Sequence, residues 1–173
     1  DDDVSATATY SITGTDADDF IIDSSSGVLT FTSAPNYESP TDSDSDNTYE
    51  VIVTVTDNTS LIDTQIITVS VADVNEAPQV IGTSFVTSIS ENMDTQIAIS
   101  YSDEDANSTL VYSISGTDAD DFIMDATTGM LSFSSIPNYE SPTDSDANNE
   151  YIIIISVTDG LLSTTQTITI SVV

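Results

Sequence analysis

Short-chain acids set in loops are the residues of this sequence most able to do chemistry. Asp outnumbers Glu about three to one, a bias that suits oxygen cages around hard divalent cations better than a merely solvated surface. These acids gather in particular places. Asp1-Asp2-Asp3 and Asp103-Glu104-Asp105 are acidic loops separated by 102 residues. Asp73-Val74-Asn75-Glu76 sets three oxygen-bearing side chains in four residues, just before Pro78. Asp42, Asp44, Asp46 and Asn47 crowd one short stretch, as Asp144, Asp146, Asn148 and Asn149 crowd another.

The rest of the composition excludes most alternatives. The formal net charge is −30, with no Lys, Arg, His or Cys anywhere. Folding must hold these carboxylates against one another without an internal cation. An acidic coat of the halophile kind is compatible with cation sites, and ordinary hydrophobic content with strong periodicity argues against a disordered tail. Without basic residues there is no phosphate clamp, so nucleic acid is not a partner, and an anionic membrane surface repels the chain. Without His or Cys there is no Ser-His-Asp or Cys-His catalysis, no ordinary zinc site and no disulfide. A glycoside hydrolase needs two carboxylates across a cleft, which loop-clustered Asp on small sandwiches does not offer. The chain reads as a non-enzyme. No stretch is apolar enough to span a bilayer and Asp1 begins no signal peptide, so the chain is expected to be a piece of something longer.

The elements that must position the acids are strands, arranged in two copies. Tyr10–Phe20 returns as Tyr112–Phe122, and Pro35–Asp42 as Pro137–Asp144, both at an offset of 102. Roughly 60 per cent of positions match between 1–57 and 103–159, and a period of this size is one small domain rather than a solenoid turn. Apolar residues alternate at Tyr49, Val51, Val53 and Val55, at Ile67, Val69 and Val71, and again at Tyr151, Ile153, Ile155 and Val157, the period of half-buried strands. Ile152 and Ile154 fall on the polar side and are expected as surface or contact residues. Gly27 and Gly129 mark turns. Several short strands per roughly 100 residues predict a Greek-key sandwich.

The predicted organisation is repeat 1 over 1–72, a linker over 73–79 and repeat 2 over 80–173. Repeat 2 opens with two strand-like runs, Phe85–Ser90 and Gln96–Ser102, that repeat 1 lacks. Truncation of a longer array explains this, and completion by a strand from a neighbouring molecule is the alternative. Asp16, Asp18 and Asp19 and their copies read as turn residues. Alternating Asp at Asp42–Asp46 matches the opening of an EF-hand loop but lacks that motif's Gly and distal Glu. A cation site within the domain and a solvated hairpin insert both remain open there. Asn58 and Asn107 fit the glycosylation acceptor pattern, which chance produces readily in a Ser/Thr-rich chain.

Tyr-Ser-Ile followed by Asp-Asp-Phe, then Asn-Tyr-Glu, Val-Thr-Asp and Asp-x-Asn-Glu-Ala-Pro, in that order, resemble bacterial cadherin-like repeats of large surface or secreted adhesins. The resemblance implies an all-β fold of tandem immunoglobulin-like Greek-key sandwiches joined by a short calcium-binding linker. Carried over residue by residue, it assigns the inter-repeat calcium ligands to Asn36 and Glu38 of repeat 1, Asp73, Asn75 and Glu76 of the linker, and Asp103, Asp105 and Asp159 of repeat 2. Asp1, Asp3 and Asp57 are half-sites for a preceding repeat, and Glu91, Asn138 and Glu140 for a following one. Asn36 and Tyr37 depart from the family's Asp and Arg, and Glu76 stands where animal cadherins use Asp. Six carboxylates balance about three divalent ions, and the departures hold the count at about two to three Ca2+.

The implied function is a calcium-dependent structural or adhesive repeat of an extracellular bacterial adhesin, stalk or filament, secreted or on the cell surface. Its partners are neighbouring repeats or identical subunits, with surface polysaccharide or another adhesin as further candidates. A strand-complemented fibre subunit and a calcium-dependent carbohydrate-binding module are the alternatives. The absence of Trp argues against a sugar-stacking platform.

Overall fold

β-Branched residues at period two dictate strands that bury one face, because alternate side chains point to opposite sides of the pleat. The computed structural model describes residues 7–81 and 88–173 and divides into two units, Asp1–Val74 and Asn75–Val173. Each is built of β-structure, in keeping with the expected tandem immunoglobulin-like sandwiches. Asp1, Asp3 and the opening residues of the Phe85–Ser90 run lie outside the described residues.

In the first unit the strands are β1 (Ala8–Thr13), β2 (Phe20–Ile22), β3 (Leu29–Phe31), β4 (Thr48–Asp57) and β5 (Ile62–Ser70). β4 is the centre of an antiparallel β1-β4-β5 sheet, and β2 pairs with β3 as a hairpin. In the second unit the strands are β6 (Gln79–Val80), β7 (Ser88–Ile89), β8 (Gln96–Ala98), β9 (Tyr101–Ser102), β10 (Val111–Ser115), β11 (Phe122–Met124), β12 (Met130–Phe133), β13 (Glu150–Thr158) and β14 (Ser163–Val172). They form a four-stranded β10-β13-β14-β7 sheet, a β11-β12-β8 sheet and a β6-β9 pair. β7 runs parallel to β14, with Ile89 opposite Val172.

The two units share a core motif and differ in how completely it is covered. In both, a Tyr of the central strand stands edge-on to two Phe rings. Tyr49 lies 5.2 Å from Phe31 and 6.0 Å from Phe20, and Tyr151 lies 5.0 Å from Phe133 and 5.8 Å from Phe122. Such edge-to-face contacts add to burial. In the second unit Ile97, Ile99 and Tyr101 close the core over Tyr112, Ile155 and Val157, all buried. The first unit has no described counterpart of those covering residues. Val53 and Val55 are only half-buried there, and a groove of about 460 Å³ opens beside Tyr10, Val55 and Ile62. Gly129 marks the tighter closure. Its φ is +68°, and a Cβ there would stand 2.5 Å from the Ile99 carbonyl oxygen.

One sequence expectation is corrected. Asp16 and Asp118 are not merely turn residues: each is about 95 per cent or more buried (4 % and 2 % exposed) and braces two segments of its own unit. Asp16 accepts the Ser43 N–H at 2.9 Å and the Glu50 N–H at 2.7 Å. Asp118 accepts the Ser145 N–H at 2.8 Å and the Ile152 N–H at 2.7 Å. The Glu50 backbone N–H, then that of Ser43, hold the Asp16 carboxyl below its ordinary value of 3.8 against the opposing effect of burial. The buried Tyr hydroxyls fix the same region, with Thr41 N–H donating to Tyr49 and Thr143 N–H to Tyr151.

Two outcomes follow from this packing. Asp16→Asn leaves one backbone N–H facing another donor and is expected to destabilise the first unit by about 1–3 kcal/mol. Because the folded-state pKa is depressed, that difference is fully present above the ordinary value and shrinks as pH falls through the folded value. Denaturant unfolding of both proteins from pH 7 to pH 2 tests it; comparing the pair cancels the general relief of charge repulsion in acid. Second, the smaller buried core of the first unit predicts amide-exchange protection in β4 and β5 weaker than in β13 and β14 by at least about tenfold.

Candidate metal centre

The second unit gathers five of the predicted ligand residues by short local devices. Asp103 and Asp105 lie just beyond β9, where the Asp105 N–H donates to Asp103 Oδ1 at 3.0 Å and folds the loop back on itself. Asp159 follows β13, and its Oδ1 accepts the N–H groups of Leu161 at 2.6 Å and Leu162 at 2.7 Å, with Gly160 supplying φ +101° in the tight turn to β14. The segment carrying Asn75 and Glu76 is tied to both loops. Asn75 Nδ2 donates to Asp159 Oδ2 at 2.8 Å and to the Glu76 carbonyl at 2.9 Å, while the Glu76 N–H donates to Asp105 Oδ2 at 3.0 Å. Pro78 is buried and fixes the chain leaving this knot.

The result is a cluster of negative charge. A ligand oxygen from each of Asp103, Asp105 and Asp159 lies within 4.8 Å of the others. Asp103 Oδ2 is buried and has no hydrogen-bond partner among the described residues. Charges at such separations repel by about 1 kcal/mol per pair in water and several times more beside protein. With no Lys, Arg or His in the chain, no side-chain cation can relieve that repulsion. Backbone and amide donors relieve part of it: the Leu161 N–H, then the Asn75 amide and the Leu162 N–H, hold the Asp159 carboxyl below its ordinary value. An all-oxygen set of carboxylates and an amide, one buried oxygen still unmatched, fits a hard divalent cation, and calcium in particular because the ligands sit in loops.

The other predicted residues fall as follows. Asn36, Glu38 and Asp73 belong to the first unit. Asn36 Oδ1 accepts the N–H groups of Glu38 at 2.8 Å and Ser39 at 3.1 Å, shaping the Asn-Tyr-Glu loop, and Asp73 is exposed. Asn138 repeats that geometry with Glu140 and Ser141 at 3.0 and 3.1 Å. Glu91 is joined to the same loop, its Oε2 accepting the Tyr139 N–H at 2.9 Å. Asp57 accepts the Leu61 and Thr59 N–H groups, each at 2.8 Å, the first of which chiefly lowers its pKa. Asp1 and Asp3 lie outside the described residues. Sequence reading takes Asn75 as a source of carbonyl oxygen and misses its amide nitrogen as the clasp on Asp159; 84 residues separate the pair, and no local pattern signals the contact.

Immunoglobulin-like sandwiches in tandem, with acids gathered beside the segment that enters the second, define a class of tandem β-sandwich repeat. The cadherin-domain family model matches residues 85–173, just over half of the chain, and the chain belongs to that family. Cadherin domains are adhesion modules of ectodomains and hold calcium at inter-repeat linkers. Solved structures agree in fold. Mouse cadherin-23 EC22-24 aligns with TM-score 0.59 at 21% identity, over 96% of this chain and 53% of that one. Human protocadherin-24 EC1-2 gives 0.57 at 24%, over 96% and 82%. Drosophila N-cadherin EC1-4 gives 0.58 at 20%, over 97% and 41%. The chain thus spans about half the length of the mouse cadherin-23 fragment. No curated protein sequence matches it.

Calcium at tenfold its dissociation constant is expected to stabilise the second unit by about 1.4 kcal/mol. The double substitution Asp103→Asn, Asp105→Asn is expected to abolish that increment; thermal unfolding with and without calcium measures it.

Proposed function

We propose that the chain is a calcium-dependent structural and adhesive segment of an extracellular bacterial adhesin, stalk or filament, in which calcium stiffens the joint between repeats. The observation that carries this reading is the convergence of Asp103, Asp105 and Asp159 around a buried, unmatched oxygen of Asp103 in a chain with no cationic side chain. In this reading Asn36, Glu38, Asp73, Asn75 and Glu76 complete the ligand set, and repeat 1 (1–72), linker (73–79) and repeat 2 (80–173) are the functional divisions.

Bound calcium supplies the positive charge that lets carboxylates of successive repeats stand together. The chain's own residues prepare the place. Asn75 holds Asp159, the Glu76 N–H turns Asp105, and Pro78 limits the freedom of the segment that follows. Glu91, Asn138 and Glu140, and Asp1, Asp3 and Asp57, offer the same chemistry to neighbouring repeats. Affinities of extracellular calcium modules, about 10⁻⁴–10⁻³ M, leave such sites filled outside a cell and empty inside it, so a chain exported flexible stiffens on arrival.

A second reading, a fibre subunit completed by a strand from another copy, draws on the outer edges of β3 and β5, which pair with no described strand. Sedimentation of the purified chain distinguishes it, since a strand-exchanging subunit forms concentration-dependent oligomers.

Small-angle X-ray scattering with calcium and then with excess chelator tests the main proposal. A gain in maximum dimension and stiffness with calcium, lost in the Asp103→Asn, Asp105→Asn protein, is the expected outcome. An unchanged profile sinks the stiffened joint and leaves an acidic coat.

A further inference from the structure

The first unit carries another cluster of acids, remote in sequence from the linker. The turn between β3 and β4 brings a ligand oxygen from each of Asp42, Asp44 and Asp46 within 4.8 Å of the others. Asp44 and Asp46 are exposed, but Asp42 is 4 % exposed. Its Oδ2 accepts the Asp46 N–H at 2.8 Å, and its Oδ1 is buried with no partner among the described residues. Asn47 Oδ1 is also buried without a partner among the described residues, but so is Asn149 Oδ1 in the second unit's copy, so the unmatched oxygen that sets this turn apart is that of Asp42. The buried carboxylate of Asp16 adds to the local charge, since it accepts the N–H of Ser43, the neighbour of Asp42. A buried carboxylate oxygen with neither donor nor counter-charge is costly unless a cation meets it, and the chain contains no cationic side chain. The charge of Asp46, then contact with Asp42, pushes the Asp44 carboxyl up; burial, then contact with Asp144, also pushes up its copy Asp146.

The copy in the second unit shows how this turn is completed without a cation. Asn148 stands where the first unit has Asp46. Its Nδ2 donates to Asp146 Oδ2 at 3.0 Å, its backbone N–H donates to Asp144 Oδ2 at 2.8 Å, and the Asn149 N–H donates to Asp144 Oδ1 at 3.3 Å. Both Asp144 oxygens are therefore satisfied. The Asn149 N–H, not the Asn148 side chain, meets Asp144 Oδ1; what Asn148 changes is the charge of the turn, replacing a third carboxylate with an amide that donates to Asp146.

We propose that Asp42, Asp44 and Asp46 form a divalent-cation site of the calcium class within the first unit, distinct from the linker ligands, and that the copy in the second unit, where Asn148 replaces the third carboxylate and both Asp144 oxygens have backbone donors, binds more weakly. Three carboxylates supply part of the six to eight oxygens calcium takes, leaving the rest to carbonyls and water. The expected affinity is that of extracellular modules, about 10⁻⁴–10⁻³ M.

The test is a calcium titration of the full chain to about 10 mM, a range set by that affinity, followed by the backbone amide NMR signals of residues 42–48 and 144–150. It is run in an Asp105→Asn background so that failure at the linker cannot be mistaken for failure here. Saturable shifts confined to 42–48 are expected. Asp46→Asn is expected to weaken them at least tenfold, and Asn148→Asp to create matching shifts in 144–150. Because the Asn148 turn is itself folded in the native chain, Asp46→Asn should leave the calcium-free spectrum of the first unit otherwise unchanged. Non-saturating drift spread over all surface acids, or equal binding by the wild type and Asp46→Asn, would overturn the proposal.

Discussion

A carboxylate in this chain has no side-chain cation to turn to, and most of the local architecture can be traced to that constraint. With net charge −30 and no Lys, Arg or His, the available internal counter-dipoles are backbone N–H groups, side-chain amides and hydroxyls. Asp23 and Asp125 take the N–H groups of their own turns, Asp57 and Asp159 those of the hairpins they begin, and Asp16 those of two separate segments. In each case the donor lowers the carboxyl's pKa, so the charge is stabilised by the fold instead of merely tolerated. These bonds also define the turns, which is why Asp is favoured over Glu: the shorter side chain reaches the N–H two or three residues on.

Donors are finite, and the positions where they run out are the positions with a reason to bind ions. Asp103 Oδ2 and Asp42 Oδ1 are buried without a partner among the described residues, and each sits beside two further carboxylates. Structural stability and the proposed calcium binding thus answer one demand, decided by whether an N–H or amide is within reach.

Among the described residues, the two units share one core motif and differ in what covers it. Tyr49 with Phe20 and Phe31, and Tyr151 with Phe122 and Phe133, pack almost identically, because those contacts lie within the duplicated segment. What differs is the cover. Ile97, Ile99 and Tyr101 shield Tyr112 and Val157, whereas Tyr10 and Val55 border an open groove. In a β-sandwich the last strands added contribute disproportionately to burial, since they convert a half-exposed sheet face into a closed core.

The sequence by itself determined the strands, the duplication and the contiguous acidic motif before Pro78. Period-two alternation of Val, Ile and Tyr is a local signal, and Asp-x-Asn-Glu-Ala-Pro is a contiguous motif, so neither depends on contacts distant in the chain. Tertiary structure alone decided which acids are buried and which oxygens lack a donor. Asp16 and Asp18 are indistinguishable as turn residues in the sequence. Only Asp16 points inward, because the N–H groups of Ser43 and Glu50 come from segments that folding carries to it. The clasp of Asn75 on Asp159 and the unmatched oxygen of Asp42 escaped sequence reading for the same reason. Hydrogen-bond satisfaction is a property of neighbours in space, and a residue's type shows what it can offer without showing what will be there to meet it.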